Sequence, residues 1–288
     1  MIEHLVLSGA GTNGLIQLGL LNYLQETNYF KLSDIKTIYG TSAGAIISIL
    51  LLIGVSITEL KEYFINRPWD KFFDIDLDFQ QKGIFQISYL YEMVKPFMLA
   101  YDIPQTFTLL DLYNKTNIEL HIFTTKLNHM MLIDLNHVTF PSLTLTEAIN
   151  MTASLPLIFP PVKYDNEYYI DGGILQKCPL QSIQKTSYSN DSILIIDIGQ
   201  QRYMYSEESS VLDFIHLVMS NAFQIISTDR YNKTCITNYP HYYYIIAECI
   251  LSTNVWDKFI NDIEYRKQLY ETGYNYKKIE IEIESIKE

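Results

Sequence analysis

Positive charge is the first thing this chain is short of. Its 288 residues carry 21 Lys and Arg against 33 Asp and Glu, a formal net charge of −12. A surface of that sign repels a phosphate backbone, which argues against nucleic acid as a partner, and it leaves any contact with anionic lipid to rest on apolar surface. Cysteine is scarcer still. Cys178, Cys235 and Cys249 are odd in number and lack metal-like spacing, so neither a disulfide framework nor a metal site is expected, and free thiols in a reducing compartment are. The opening MIEHLVLSGAG has no basic n-region, so no signal peptide is expected; the default location is cytoplasmic, at most peripheral to a membrane. Internal repeats and linker-like stretches are also missing, which favours one domain over residues 1–288.

What the chain does have is apolar substance. Hydrophobic residues make up 48% and charged residues 19%, a balance that excludes a disordered chain and suits an α/β protein with strands buried on both faces. Strands are expected at His4–Leu7, Lys36–Tyr39, within IELHIFTTKL and MMLIDL, at Tyr168–Ile170, Ser192–Ile198 and YYYIIA. Helices are expected after Gly14, over Ala43–Val55, Thr58–Ile65, Ser88–Leu99, Thr144–Ser154 and Val211–Ile226, and over Val255–Tyr276. Residues 56–107 are the least regular part and read as an insertion or a lid; the tail KKIEIEIESIKE reads as an edge strand or a frayed end. The uncharged run between Lys36 and Glu59 is long enough to suggest a membrane span, but Tyr39–Gly44 has the composition of a tight turn. Ala43–Val55 alone falls short of the ~20 residues a span needs, so strand, turn and buried helix is the expected arrangement.

Three short stretches can carry chemistry. Gly9-Ala10-Gly11-Thr12-Asn13-Gly14 fits G-x-G-x-x-G between a strand and a helix, where bare N–H groups stabilise negative charge, be it a phosphate or a transient alkoxide. A dinucleotide site also wants an acidic residue at the end of the next strand, and Asp34 precedes that strand instead. Gly40-Thr41-Ser42-Ala43-Gly44 is G-x-S-x-G, an elbow whose small neighbours let strand and helix approach while one serine is presented at a helix N-terminus. Asp171-Gly172-Gly173 alone is an ordinary turn; beside Ser42 it offers a carboxylate general base on a sharply bent backbone.

In order and kind, LSGAGTNGLIQLG, GTSAG and DGG resemble the signatures of the patatin-like phospholipases, as does the intervening LTLTEAINMTASLPLIFPPVKYDNEYYIDGG. The resemblance implies a three-layer α/β/α sandwich with a mostly parallel central sheet, and a lipid acyl hydrolase needing no cofactor or metal. By it, Ser42 is the nucleophile, Asp171 the base, and N–H groups of Gly9, Ala10, Gly11, Thr12 and Ala43 the oxyanion hole, with Gly14, Gly40, Gly44, Gly172 and Gly173 in support. The implied substrate is a phospholipid or lysophospholipid at a membrane or micelle surface; a protein activator is left open. Two positions depart from the family pattern. Asn13 stands where a basic residue is usual, and Lys177 where asparagine is frequent.

Three rivals are weighed against this reading. A Ser-His-Asp esterase would draw on His121, His129, His137, His216 or His241, each placed in the sequence like an ordinary surface or core histidine. A lipid- or partner-binding protein without activity rests on Asn13 and Lys177, and a nucleotide-dependent oxidoreductase on the glycine loop. A carboxylate base predicts activity that survives mildly acidic pH unless burial raises its pKa, whereas a histidine base fails near ~6.5. Leu155, Leu157, Ile158, Phe159 and the helix after Ser42 are candidates for an acyl-chain pocket or for plain core.

Overall fold

The computed structural model describes residues 1–73, 82–201, 211–228, 238–250 and 253–276. The short strand β1 (His4–Leu7) feeds the glycine turn and helix α1 (Gly14–Glu26), and β2 (Thr37–Thr41) feeds α2 (Ala43–Ile53). Helices α3 (Ile57–Asn66), α4 (Ser88–Ala100) and α5 (Leu109–Thr116) precede β3 (Glu119–Lys126) and β4 (Met131–Leu135). Helix α6 (Leu145–Ala153) leads to the hairpin β5 (Val162–Tyr164) and β6 (Glu167–Asp171), then to two single turns, α7 (Gly173–Gln176) and α8 (Leu180–Ile183). Strand β7 (Ile193–Gln200), α9 (Val211–Thr228), β8 (Tyr242–Ala247), α10 (Thr253–Asn261) and α11 (Ile263–Tyr274) complete the described chain.

The strands form one sheet in the order β5-β6-β3-β2-β1-β7-β8, with β4 also paired to β3. Pairings from β3 through β2, β1 and β7 to β8 are parallel; those of β3 with β4 and β6, and of β5 with β6, are antiparallel. Successive side chains of a strand point to opposite faces. Leu5, Leu7, Ile196 and Ile198 accordingly join one large core with α1 to α4 and α11, while Val6, Tyr39, Phe123 and Ile195 join a smaller one with Leu180 and Ile183. This is the expected three-layer arrangement with a mostly parallel sheet.

Helix α2 carries no charge because none of its surface is free. From Gly44 to Ile53 every residue is buried, and the helix ends where Gly54 turns left-handed at φ 114°. Among the described residues, no helix is long and apolar enough to cross a membrane. The single helix expected over Val255–Tyr276 is two helices. Asp262 interrupts it by accepting hydrogen bonds from the N–H groups of Glu264 and Tyr265, which caps α11 afresh. The break turns α11 so that the buried Arg266 donates from Nε to the Ile65 carbonyl (2.7 Å) and from Nη1 to those of Phe259 (2.7 Å) and Ile260 (3.1 Å). A cation at the carbonyl ends of α3 and α10 is favoured by both helix dipoles. The tail from 277 lies outside the described residues.

Candidate active site

Strand β3 brings the two halves of the site together. Its antiparallel partner β4 runs along residues 122–126 on one edge, so β2 and β6 share the other edge. They meet there end to end. Thr41, the last residue of β2, lies opposite Phe123, and Asp171, the last of β6, lies opposite Thr124. Ser42 and Asp171 thus leave their strands at the same point, with the serine hydroxyl near enough to the Asp171 carboxyl to pull its pKa down.

Ser42 takes φ 51° and ψ −122°, a left-handed backbone that a serine adopts only when its surroundings over-determine it. Two features impose it. A Cβ on Gly44 would collide with the carbonyl oxygens of Leu7 and Ser8, so helix α2 can start this close to β1 only with glycine there. The Ser42 N–H is also fixed, donating to Thr152 Oγ1 at 2.9 Å, while the Thr152 hydroxyl donates to the Phe123 carbonyl at 2.5 Å. Thr152 is fully buried at the end of α6, and the same helix end accepts the Gly172 N–H on the Thr152 carbonyl (3.3 Å) and the Asp171 N–H on the Ser154 carbonyl (2.9 Å). Sequence reasoning missed Thr152. The threonine before Ala-Ser-x-Pro carries no motif of its own, and only the three-dimensional approach of α6 to the elbow reveals its use.

Asp171 is 3% exposed. Burial pushes its carboxyl up to about 6, against the pull of the nearby Ser42 hydroxyl, of the Gly173 N–H that donates to Oδ1 at 2.7 Å, and of the Lys177 charge. A carboxylate held near neutrality is a stronger base than one in water, which suits proton abstraction from a hydroxyl. A Cβ on Gly172 would strike the Phe123 carbonyl, which accounts for glycine directly after the aspartate.

The glycine loop lies across from this pair. Gly9 packs beside Ser42, with room for ordinary contact at 3.5 Å between a Cβ there and that of Ser42, but its N–H already donates to the Lys177 carbonyl at 2.7 Å. Its part is therefore to anchor the loop. Gly11 turns at φ 53° into a single 3₁₀ turn over Gly11–Asn13, and Gly14 opens α1 against Ala43. The first N–H groups of a helix have no acceptor within it, which leaves those of Gly11 and Thr12 and that of Ala43 at the start of α2 as the donors on offer, with Ala10 just before them. Gly40 sits inside β2, its missing side chain making way for the Ala45 backbone. Asn13 is a tether: its Nδ2 donates to the Glu248 carbonyl at 2.8 Å, tying the loop to the segment after β8.

Ser42 opens onto a cavity of about 100 Å³ whose wall is almost wholly apolar. Ile46 and Ile47 of α2, Leu18 of α1, and Leu155 and Phe159 line it, whereas Leu157 and Ile158 do not. The remaining wall comes from the region read as an insertion or lid. Phe64, Phe73, Tyr89, Leu90 and Met93 face the cavity together with Trp256 and Phe259. Backbone bonds from Ile84 to the Leu157 carbonyl (3.0 Å) and from Phe85 to that of Ile158 (2.9 Å) strap it to the proline-rich loop.

The described histidine side chains are engaged elsewhere. His121 pairs with Asp134 at 2.8 Å and stacks on Tyr39, His137 stacks on Tyr113, His129 lies 3.7 Å from Glu167, and His241 meets the Tyr29 hydroxyl at 2.5 Å. Among the described residues, no three His, Cys, Asp or Glu side chains gather in a way that could hold a metal ion.

With this geometry in hand, comparison with known proteins places the chain. The sequence profile of the family described as Patatin-like phospholipase matches residues 5–183, from the first strand past the Asp171 turn. The chain belongs to the patatin-like phospholipase family. It is 29% identical over 186 residues to the probable lipid hydrolase 463L of Invertebrate iridescent virus 6, a match covering 62% of each protein. It is 31% identical over 193 residues to the uncharacterized protein R571 of Acanthamoeba polyphaga mimivirus, covering 62% of this chain and 60% of that protein. The chain thus spans less than two thirds of the length of either relative. Among solved structures, VipD from Legionella pneumophila has the same patatin-like fold, with a TM-score of 0.56 at 17% identity over 95% of this chain and 65% of that one.

Proposed function

We propose that this protein is a lipid acyl hydrolase that cleaves carboxylic esters of phospholipids or lysophospholipids through a Ser42/Asp171 dyad. The observation that carries the reading is the juxtaposition, at the paired ends of β2 and β6, of a serine with strained backbone and a buried aspartate of raised pKa, beside an apolar cavity. Asp171 takes the Ser42 proton as Oγ attacks the ester carbonyl carbon. The carbonyl electron pair moves onto oxygen, where the N–H groups of Ala10, Gly11, Thr12 and Ala43 receive it. Collapse of that intermediate expels the alcohol, which takes the proton from Asp171. Water, deprotonated by the same carboxylate, then releases the fatty acid from the acyl-serine. The apolar wall takes the acyl chain, and family membership and the likeness to a probable lipid hydrolase favour a lipid ester over a small soluble one.

The test is fatty acid release from mixed phospholipid and lysophospholipid vesicles by wild type, Ser42→Ala and Asp171→Asn, with chelator present. Wild type is expected to release acid, and each folded variant to lose at least about a thousandfold in kcat/KM, the scale on which dyad and triad members act. A Ser42→Ala protein as fast as wild type sinks the reading. Three silent proteins, with Ser42 unlabelled by a fluorophosphonate, turn the assignment toward a lipid-binding protein without hydrolysis.

A further inference from the structure

Exposed apolar side chains are ordinary when scattered, but on this chain two groups of them stand at one end of the sheet. Helix α9 turns Met219 and Phe223 toward the large core, and its Ser220 hydroxyl lies 3.4 Å from Cys249 Sγ. Its outer face is apolar as well. Ile215, Val218, Ala222 and Ile225 follow one another at helical spacing and are all exposed, Val218 by 52% and Ile225 by 61%. The turn from β3 to β4 likewise exposes Met130 and Met131, and β6 exposes Tyr168. Strand register places the second group. Lys126, at the end of β3, pairs with Met131 and with Tyr169, three residues beyond the Phe123 that lies opposite the end of β2, so this turn stands past the level of Ser42 on the same end of the sheet. Helix α9 reaches that end from the other side, since it packs on α7, which begins at Gly173 just after Asp171, and touches Cys249 just beyond the end of β8. In the sheet order β2 and β1, which carry Ser42 and the glycine loop at their ends, lie between β3 and β7. The two apolar surfaces therefore flank the site.

We propose that the outer face of α9 and the β3–β4 turn together form a docking face for a zwitterionic lipid surface, seated across the end of the sheet that presents Ser42. Charge selects the kind of lipid. Over Val211–Thr228 the sequence has no Lys, Arg or Glu and a single Asp, and at the turn Lys126 is paired with Glu167 at 2.9 Å. A face of this kind carries no cluster of cations to hold anionic headgroups, and the net charge of −12 opposes them, so binding rests on apolar insertion among neutral headgroups. Position selects lipid over a second copy of the chain. A copy seated on both surfaces would close the site between them, whereas a lipid surface touching both brings an ester to it. That choice rests on the hydrolase reading; the docking itself is measured without hydrolysis.

The experiment is flotation of the full chain with phosphatidylcholine vesicles, in a Ser42→Ala background so that the lipid is not consumed. Ile215→Ser/Ile225→Ser is expected to weaken partitioning by about tenfold or more, and Met130→Ser/Met131→Ser by about threefold, in line with partial insertion of side chains each worth at least tenfold when fully buried. Both pairs replace exposed groups, and either one tests the face if the other does not fold. Val138→Ser is the control. This exposed valine follows β4, whose last residue Leu135 pairs with Ile122, so it lies toward the opposite end of the sheet, and its loss is expected to leave partitioning unchanged. Adding anionic phosphatidylglycerol to the vesicles is expected to weaken binding. Folded α9 and turn variants that both partition within about twofold of their parent overturn the proposal, as does binding that anionic lipid strengthens. A dimer in sedimentation velocity that Ile215→Ser/Ile225→Ser dissolves, with no vesicle binding, assigns the face to a second copy and also overturns it. Vesicle binding lost as expected in a protein whose wild type cleaves neither vesicle lipid nor a soluble ester leaves the docking face standing and removes the hydrolase reading. Hydrolysis without vesicle binding does the reverse.

Discussion

On the sheet side of the cavity the contacts that matter are made by backbone, whereas on the side of α3, α4 and α10 they are made by rings. Around Ser42, the Leu7 and Ser8 carbonyls press on Gly44, the Phe123 carbonyl presses on Gly172, and the Thr152 hydroxyl pins the serine N–H. Over the cavity, Phe73 stacks on Trp69 (5.7 Å), lies tilted against Phe85 (4.8 Å) and meets Tyr89 edge-on (5.4 Å), and Phe159 and Trp256 close the cluster from the other side. Arg67 lies 4.0 Å above the Phe72 ring and 5.0 Å from those of Tyr63 and Trp69. A backbone contact has no rotamer to yield with, while a cluster of rings repacks at a modest cost. The first region is therefore built to hold a fixed geometry and the second to fill space.

Breaking the first region is expected to give the largest effect. In Gly44→Ala the new Cβ meets the carbonyl oxygens of Leu7, which ends β1, and of Ser8, and relief requires α2 to move away from the strand and carry Ser42 with it. The expected cost is about 3 kcal/mol or more of stability and nearly all activity. Thermal unfolding and ester hydrolysis of the purified variant check this. A protein within a few degrees of wild type and with a tenth or more of its rate would mean that the elbow tolerates displacement.

The same fixed geometry holds a charge where it is costly, and that predicts a gain in stability on removing it. The Asp171 pKa rises from 3.8 toward about 6 on folding, so between those values the native state binds a proton that the unfolded chain does not. Stability from this group is complete below pH 3.8, falls as pH rises through that window and is gone above about pH 6. Asp171→Asn, which cannot ionise, is expected to be more stable than wild type at pH 8 by about 3 kcal/mol at most, less where the lost Gly173 contact and Ser42 neighbour count against it. The advantage should shrink toward nothing below pH 4. Tm measured for both proteins across that range decides it, and a gap that is negative or independent of pH would sink the argument.

The contrast between the two regions also explains what the sequence disclosed. Ser42, Asp171 and their glycines were legible because backbone crowding leaves a residue-type signature: only glycine fits against the Leu7, Ser8 and Phe123 carbonyls. The apolar runs of β1 and β7 and the uncharged α2 were legible for a related reason, since burial on all sides favours apolar residues. Rings that pack on rings leave no such spacing. Residues 56–107 read only as an insertion or a lid, and nothing in their spacing disclosed that Phe64, Phe73 and Met93 wall the cavity. Likewise Asp262, one acidic residue among several, gave no notice that it divides a helix. The Gly9 N–H was expected in the oxyanion hole, and its commitment to Lys177 depends on a contact across 168 positions of chain that no local pattern encodes. The expectation of activity at mildly acidic pH also changes. Burial lifts Asp171 to about 6, so the acid limb falls where a histidine's would, and Asp171→Asn rather than the limb's position must identify the base.

The smallest expected effect is the one that tests the cover. Phe73→Leu keeps an apolar side chain of similar bulk in the cluster, so its neighbours Phe85, Tyr89 and Trp69 can close around it at a cost of about 1 kcal/mol. It also reshapes the cavity wall opposite α2 without touching Ser42, Asp171 or the glycine loop. Rates on a short-chain ester, whose acyl group does not extend along that wall, should remain near wild type. Those on long-chain esters should change by about threefold, the worth of a methylene or so of fit in an apolar pocket. The measurement is the ratio of kcat/KM for long over short chains in the two proteins. An unchanged ratio would mean the acyl chain runs elsewhere, and an equal loss on both chain lengths would mean that ring packing and backbone geometry are not separable as this comparison holds.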